Sequence, residues 1–470
     1  MHKKSLVFIL LVFLVTNNKA TTEINKDHLT EIEAVNNRKT FDDFIGHDEI
    51  IKQAKNFVQS IKNCNQCERI RAQVLQGLVI KGPASNGKTL LAHIIASELS
   101  AHLIEASAGK SLDLENLFYF AKQKLETYKT VVLLIKDIEH LNNQKTLIKE
   151  LSNSQKHKNL IVIVKLEDKQ ELSQDITEEK LFTLGMEKIK IFFPNKQDRE
   201  KLLFHFFETI KLKKESSSEA FASEWSKQIT DQKSAAFFKN FVSHAALIAI
   251  QEESNIMLKK HCQEAFLKLY LGSKCDYVDT EEEQKIIATH EAGHALAYIL
   301  CGYEVKFISS IPRETGDGVT YALPQYEFWP QQNKNEMLLR LIGDLGGFCA
   351  EKILIGAVTG GPAADLQKVD DRLFSMIGKY GMGQGIIEGC IYRNNLPENT
   401  KNEIGLQINK LRLNCLNVTT KLLKKYKTTL LNLVNNLLKE GILYEKEIYT
   451  VTGKPRDEAT ALLIEQDKQD

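Results

Sequence analysis

The chain has 470 residues, 43% of them hydrophobic and 26% charged, with a formal net charge of +1 at pH 7. That length carries two or three domains with cores of their own, and the ordinary globular composition excludes a small disulfide-stapled module. The near-neutral balance gives no electrostatic basis for a nucleic-acid partner. The eight cysteines are scattered apart from Cys64 and Cys67, a C-x-x-C pair without a second pair at zinc-ribbon spacing, which reads as structural or incidental.

At the amino terminus, Lys3 and Lys4 precede an apolar run from Leu6 to Val15. That run is shorter than the roughly 20 residues a membrane-spanning helix needs. Residues 1–20 therefore read as a signal peptide or a short membrane anchor. Asn18-Lys19-Ala20 is a poor cleavage site, because only its last residue is small. The expected localisation is at a membrane through this segment, with export or secretion as the alternative. Residues 21–39 are polar and read as a linker.

Gln76 to Lys81 reads as a buried strand that runs into Gly82-Pro-Ala-Ser-Asn-Gly-Lys-Thr89, followed by a helix pattern from Leu90 to Leu99. Strand, G-x-x-x-x-G-K-T and helix is the P-loop arrangement in its required context. The amides between Gly82 and Gly87 would cradle phosphates, Lys88 would reach the terminal ones, and Thr89 would ligate magnesium. The next buried strand, Val131 to Ile135, should end in one acidic residue for magnesium and a second to activate water. It ends instead in Lys136 followed by Asp137. Residues 40–195 alternate strand and helix patterns, the signature of a parallel α/β sheet covered by helices, and 196–272 are helix-rich.

Further along, Thr289-His-Glu-Ala-Gly-His-Ala295 carries H-E-x-x-H inside a helix-compatible run from Ile286 to Leu300. Four-residue spacing puts His290 and His294 on one helix face, where two imidazoles can share one zinc ion. Glu291 is the carboxylate placed to act as general base. A core helix with two satisfied histidines is the competing reading. The rest of 276–455 is mainly helical, with a long amphipathic pattern from Glu403 to Leu438, and 456–470 reads as a polar tail.

A P-loop module upstream of H-E-x-x-H resembles the FtsH family of membrane-bound AAA+ ATP-dependent zinc metalloproteases. The likeness extends over about residues 40–450. Thr40 to Glu49 resembles the opening of the family's ATPase module, Pro194 to Glu200 the end of its α/β part, and Ala245 to Ala249 a helix of its lid. In the protease part, Ile311-Pro-Arg313, Gly318 to Pro324, Gly346-Gly347 and Lys379 to Gly383 fall in the family's order. The resemblance implies an α/β-plus-α fold: an AAA+ module (40–195) with a helical lid (196–272), then a zinc metalloprotease domain (276–455). It also implies a homo- or hetero-hexameric ring acting on protein substrates, with Zn2+ and ATP with Mg2+ as cofactors.

Carried over by motif, the family's zinc ligands fall on His290 and His294, its base on Glu291, and its third ligand, an aspartate, on Asp365 in Thr359-Gly-Gly-Pro-Ala-Ala-Asp365. Asp370 and Asp371 are the fallback ligands. Gly318, Val319, Thr320 and Tyr321 resemble the edge strand to which an extended substrate adds by backbone hydrogen bonds. The nucleotide-binding set is Gly82, Gly87, Lys88, Thr89 and Asp137.

Departures from the family lie in the ATPase module. Lys136 replaces the magnesium-binding aspartate, Asp137 shortens the water-activating glutamate, and Glu167 stands near the polar sensor position. No arginine occurs between Leu181 and Ile191, where the family keeps its arginine fingers. The stretch Ala106 to Glu115 is too short for the family's pore loop. The expectation is an FtsH-type zinc endopeptidase of unfolded or membrane proteins with ATP hydrolysis impaired. The alternatives are a fully ATP-dependent protease and a non-catalytic subunit of a mixed ring.

Overall fold

A computed structural model describes residues 29–33, 38–71, 74–107, 112–138, 144–168, 178–229, 232–275, 280–324, 332–385, 389 and 396–467. The apolar run at 6–15 and residues 108–111 of the short Ala106–Glu115 stretch lie outside them. The chain divides between Leu258 and Lys259 into two compact units.

The first unit runs β1 (Leu29–Ile32), α1 (Asp48–Lys62), α2 (Cys64–Arg69), β2 (Gly77–Gly82), α3 (Lys88–Glu98), β3 (His102–Ser107), α4 (Leu114–Lys124) and β4 (Val131–Lys136). It continues through α5 (Gln144–Ser154), β5 (Leu160–Glu167), α6 (Glu178–Thr183), β6 (Met186–Lys190) and α7 (Lys196–Thr209). After it come β7 (Lys213–Lys214), α8 (Ser218–Gln228), α9 (Ala235–Gln251) and β8 (Ile256–Met257).

Six strands form one sheet in the order β1-β3-β4-β5-β2-β6. β2 to β6 are parallel, and only β1 is antiparallel, pairing with β3 from Leu29↔Ala106 to Ile32↔Leu103. The strands are nearly continuous apolar runs because both faces are covered. Side chains alternate between faces. Val79, Leu133 and Val162 pack with Leu117 and Phe118 of α4, and Leu78, Leu134 and Ile163 pack with Phe57 of α1 and Leu91 and Ile95 of α3. β1 falls inside the stretch read as linker. It pairs the otherwise open edge of β3, which a sheet must cover or blunt, and Glu31 is anchored by His102 at 2.9 Å and Lys124 at 2.6 Å. β2 lies between β5 and β6 although the chain leaves it for β3 at the far side. The carboxyl ends of β2, β4 and β5, carrying Gly82, Lys136 and Glu167, therefore flank the point where such sheets bind ligands.

The second unit opens with α10 (Lys259–Leu271), which falls within the stretch expected as lid, and α11 (Glu281–Leu300). Then follow β9 (Glu304–Ser309), β10 (Val319–Leu323), α12 (Lys334–Asp344), α13 (Gly346–Leu354) and α14 (Ala363–Phe374), which ends in a π-turn at Ser375–Lys379. The unit closes with α15 (Glu398–Lys425), α16 (Lys427–Glu440), β11 (Ile442–Tyr444), α17 (Glu445–Thr452) and α18 (Ala459–Asp467). The three strands make an antiparallel sheet in the order β10-β9-β11, with β10 at an edge.

α11 is the axis of this unit. Thr280 opens it with a reciprocal capping box to Glu283, which extends the helix five residues ahead of the apolar run. It is buried almost all round from Ala288 to Leu300. Gly293 of α11 and Gly346 of α13 cross in backbone contact: a Cβ on Gly293 would lie 2.5 Å from the Gly346 carbonyl oxygen. The long amphipathic pattern resolves into two helices, α15 and α16, divided at Tyr426, whose backbone (φ −105°, ψ 30°) leaves the helical region. The expected polar tail is corrected in part. Residues 459–467 form α18, because Ala459 and Leu463 recur at helical spacing and are buried in the core of this unit. Among the described residues no helix is long and apolar enough to cross a membrane.

Candidate metal centre and phosphate loop

His290 and His294 point from one face of α11, as their spacing requires. His290 Nδ1 lies 2.7 Å from Glu351 Oε1 on α13, and His294 Nδ1 lies 2.9 Å from the Gly343 carbonyl on α12. A carbonyl only accepts and an ionised carboxylate only accepts, so each Nδ1 is the donor and each Nε2 faces inward, free to bind a metal once it carries no proton. Those two Nε2 atoms are 2.9 Å apart, and Asp365 Oδ2 lies 3.2 Å from one and 3.3 Å from the other. Three ligand atoms thus converge on one point, an arrangement that calls for a cation. Two imidazoles and a carboxylate are a donor set for zinc with one position open. Among the described residues, His290, His294 and Asp365 are the group whose ligand atoms meet at metal-holding distance.

Asp365 reaches the centre from the first turn of α14, with Pro362 at the cap position just before it. Its other oxygen, Oδ1, accepts from Lys368 at 3.0 Å. The fallback ligands are elsewhere: Asp370 is paired with Arg412 at 2.5 Å, and Asp371 is exposed. Burial alone would lower the His290 pKa, but hydrogen bonds to Asp365 and Glu351 raise it to about 10 without a metal. Burial works against the Asp365 carboxylate too, and contacts with both histidines overcome it and hold the pKa far below the ordinary range.

Glu351 was not singled out by the sequence. It is fully buried, and its second oxygen accepts from Thr359 N at 2.9 Å and Thr359 Oγ1 at 3.0 Å. It fixes the tautomer and tilt of His290, as outer carboxylates at such centres do. The available signal was a glutamate directly after the small, apolar run Gly346-Gly-Phe-Cys-Ala350. Gly347 in that run makes room for the His290 ring, which a Cβ would meet at 2.5 Å.

Glu291 is buried beside the histidines, and burial raises its pKa against the opposing pull of His294 and His290. Gly318, Val319, Thr320 and Tyr321 all fall at or just before β10, the edge strand, with Thr320 facing Glu291 and Tyr321 buried on the opposite side among Phe266, Tyr270 and Phe307.

In the first unit, Gly82 ends β2, Gly87 (φ 84°) caps α3, and Lys88 and Thr89 open that helix. The Lys88 amine donates to the carbonyls of Gly82 and Pro83, both at 2.6 Å, and lies 3.9 Å from Glu167. The structure turns Lys136 to the side: its amine is 2.8 Å from Glu105 of β3, whose other oxygen is 2.5 Å from His93 of α3. His93 chiefly, with Lys136, brings the Glu105 pKa down to about 2 despite burial. Asp137 (φ 59°) is 3.4 Å from Lys165. The loop keeps its phosphate donors, but no carboxylate stands at the end of β4 in the magnesium position and the next one is already paired.

Two family models match the chain. Residues 277–451 match peptidase family M41, and residues 78–187 match the ATPase family associated with various cellular activities. The ATP-dependent zinc metalloprotease FtsH of Borreliella burgdorferi is 24% identical over 473 residues, covering 91% of this chain and 72% of that protein. FtsH of Thermotoga maritima is 26% identical over 505 residues, covering 98% and 78%. The mouse mitochondrial inner membrane m-AAA protease component AFG3L2 is 27% identical over 376 residues, covering 74% and 45%. Matched over most of its length by such proteases, with an AAA module followed by an M41 peptidase module, the chain belongs to the FtsH family of AAA+ zinc metallopeptidases, enzymes of Zn2+ and of ATP with Mg2+.

Proposed function

We propose that the chain is an endopeptidase of protein substrates in which His290, His294 and Asp365 hold zinc and Glu291 is the general base. The observation that carries this reading is the convergence of three ligand atoms, His290 Nε2, His294 Nε2 and Asp365 Oδ2, at metal-holding distance. Zinc, when bound, supplies Lewis acidity that makes water a nucleophile near neutral pH. Glu291 takes the proton from the attacking water and hands it to the leaving amine. Glu351 and the Gly343 carbonyl keep both imidazoles in the tautomer that faces inward. Gly318 to Tyr321 offer an open strand edge, so an extended, unfolded segment is held by its backbone with little regard to sequence.

The AAA+ module, in this reading, binds nucleotide weakly and turns it over slowly. Lys136 and Asp137 are both committed to ion pairs, with Glu105 and Lys165, and the stretch Leu181 to Ile191 has no arginine to meet transition-state charge. An AAA+ module with a helical lid followed by a protease domain, assembly into a six-membered ring, and attachment to a membrane through residues 1–20 are parts of the same proposal. The test is zinc content together with cleavage of casein by the purified chain, with and without ATP. One zinc per chain and cleavage without ATP are expected. Absence of zinc or cleavage wholly dependent on ATP would contradict it.

A further inference from the structure

β10 does more than present an edge. Thr320 Oγ1 lies 2.6 Å from Glu291 Oε2 and 2.9 Å from the Glu291 carbonyl. A carboxylate with no proton of its own only accepts, so the hydroxyl is the donor, and the shorter contact is a charge-assisted hydrogen bond. Gly318 lies two residues earlier and therefore on the same face of the extended chain. A Cβ there would stand 2.7 Å from Glu291 Oε1 and 2.8 Å from its Cγ. The strand thus meets Glu291 on both sides of its carboxylate: it binds Oε2 by a hydrogen bond, and beside Oε1 it has a glycine where a side chain would clash.

The strand itself has little play. Tyr321, pointing the other way, is stacked on Phe307 at 5.4 Å and meets Phe266 edge-on at 5.3 Å and Tyr270 at 5.5 Å. Pairing of Thr320 with Ile308 fixes the register of β10 on β9. α11 sets where the Glu291 backbone is, but a glutamate has three rotatable bonds, and the helix alone leaves its carboxylate free to swing.

We infer that Thr320 is a positioning residue: its hydroxyl binds Glu291 Oε2 and so holds the carboxylate in one orientation, ready to accept the proton of the attacking water. This rests on the role proposed for Glu291. It adds that the strand to which substrate pairs also aims the base, so displacement of β10 and loss of base alignment go together. A Thr320 that merely packs, or that binds substrate, predicts different kinetics.

The experiment compares Thr320→Val, which keeps the branched shape and removes the donor, with Thr320→Ser, which keeps the donor, in the zinc-loaded full chain. Zinc content, thermal unfolding, kcat and KM on a peptide are read for each, alone and combined with Glu291→Gln. For Thr320→Val the expected result is a kcat lower by roughly tenfold to a hundredfold, the range for losing one hydrogen bond to a charged group. Its KM, zinc content and melting temperature should match wild type, and Thr320→Ser should restore most of the rate. In the Glu291→Gln background, Thr320→Val should cost nothing further, since both changes act on one group. Wild-type kcat in Thr320→Val, a loss confined to KM, an equal fall in the serine variant, or loss of zinc or fold would each overturn the inference. A Glu291→Gln variant that cleaves like wild type would instead overturn the proposed role of Glu291 itself.

Discussion

His290 and His294 turn their Nε2 atoms toward each other at 2.9 Å while each commits its Nδ1 to an acceptor outside the pair. Two lone pairs at that distance are repulsive until a cation stands near them. A metal fills that role in one state of the protein, a proton in the other.

The first prediction follows for the ligands. His290→Ala, His294→Ala and Asp365→Ala should each lose zinc, measured by atomic emission on dialysed protein. Glu351→Gln should keep the site but weaken zinc by about 10- to 100-fold, the usual effect of removing an outer-shell partner. Full zinc occupancy in Asp365→Ala would move the third ligand elsewhere.

A second prediction concerns pH. Without metal the His290 imidazolium persists up to about 10, because burial, which lowers the pKa, is outweighed by the hydrogen bonds that the ring donates to Asp365 and Glu351. The proton and zinc compete for the same nitrogen, so below that value zinc binding must expel the proton and apparent affinity must rise with pH. Calorimetric titration at pH 7 in buffers of different ionisation enthalpy should show proton release. A heat independent of the buffer would contradict this.

The phosphate loop gives the third. Lys136 is held by Glu105, so Lys136→Asp alone would set two carboxylates against each other and is expected to destabilise the module. Combined with Glu105→Ser it should gain magnesium-dependent affinity for a fluorescent ATP analogue, without restored turnover, since the arginine-free stretch is unchanged. Missing arginine fingers alone cost roughly a thousand-fold or more. Vigorous magnesium-dependent ATPase activity in the wild-type chain, abolished by Lys88→Ala, would sink the account of this module.

What the sequence made legible was local. The P-loop lies within eight consecutive residues and H-E-x-x-H within five, and helix and strand periods carry such patterns directly. Asp365 was legible only through family likeness, since nothing in its spacing from His294 implies contact. Glu351, and the contact of Thr320 with Glu291, went unseen for the same reason: the two residues meet His290 and Glu291 through the packing of α13 and β10 against α11, across 61 and 29 residues of chain. Lys136 was read as a charge facing the magnesium position. Its partner Glu105 sits on the neighbouring strand β3, so a pairing made by sheet order was invisible along the chain. β1 and α18 were missed because short elements in polar stretches carry weak periodicity and owe their form to the edge or core they cover.

The most direct test of the account is Glu291→Gln, which removes the base and leaves every proposed zinc ligand in place. Zinc content should remain at one per chain, and casein cleavage should fall by about 100- to 10,000-fold, the range for general-base catalysis. A Glu291→Gln protein that holds zinc and cleaves at the wild-type rate would contradict the mechanism outright.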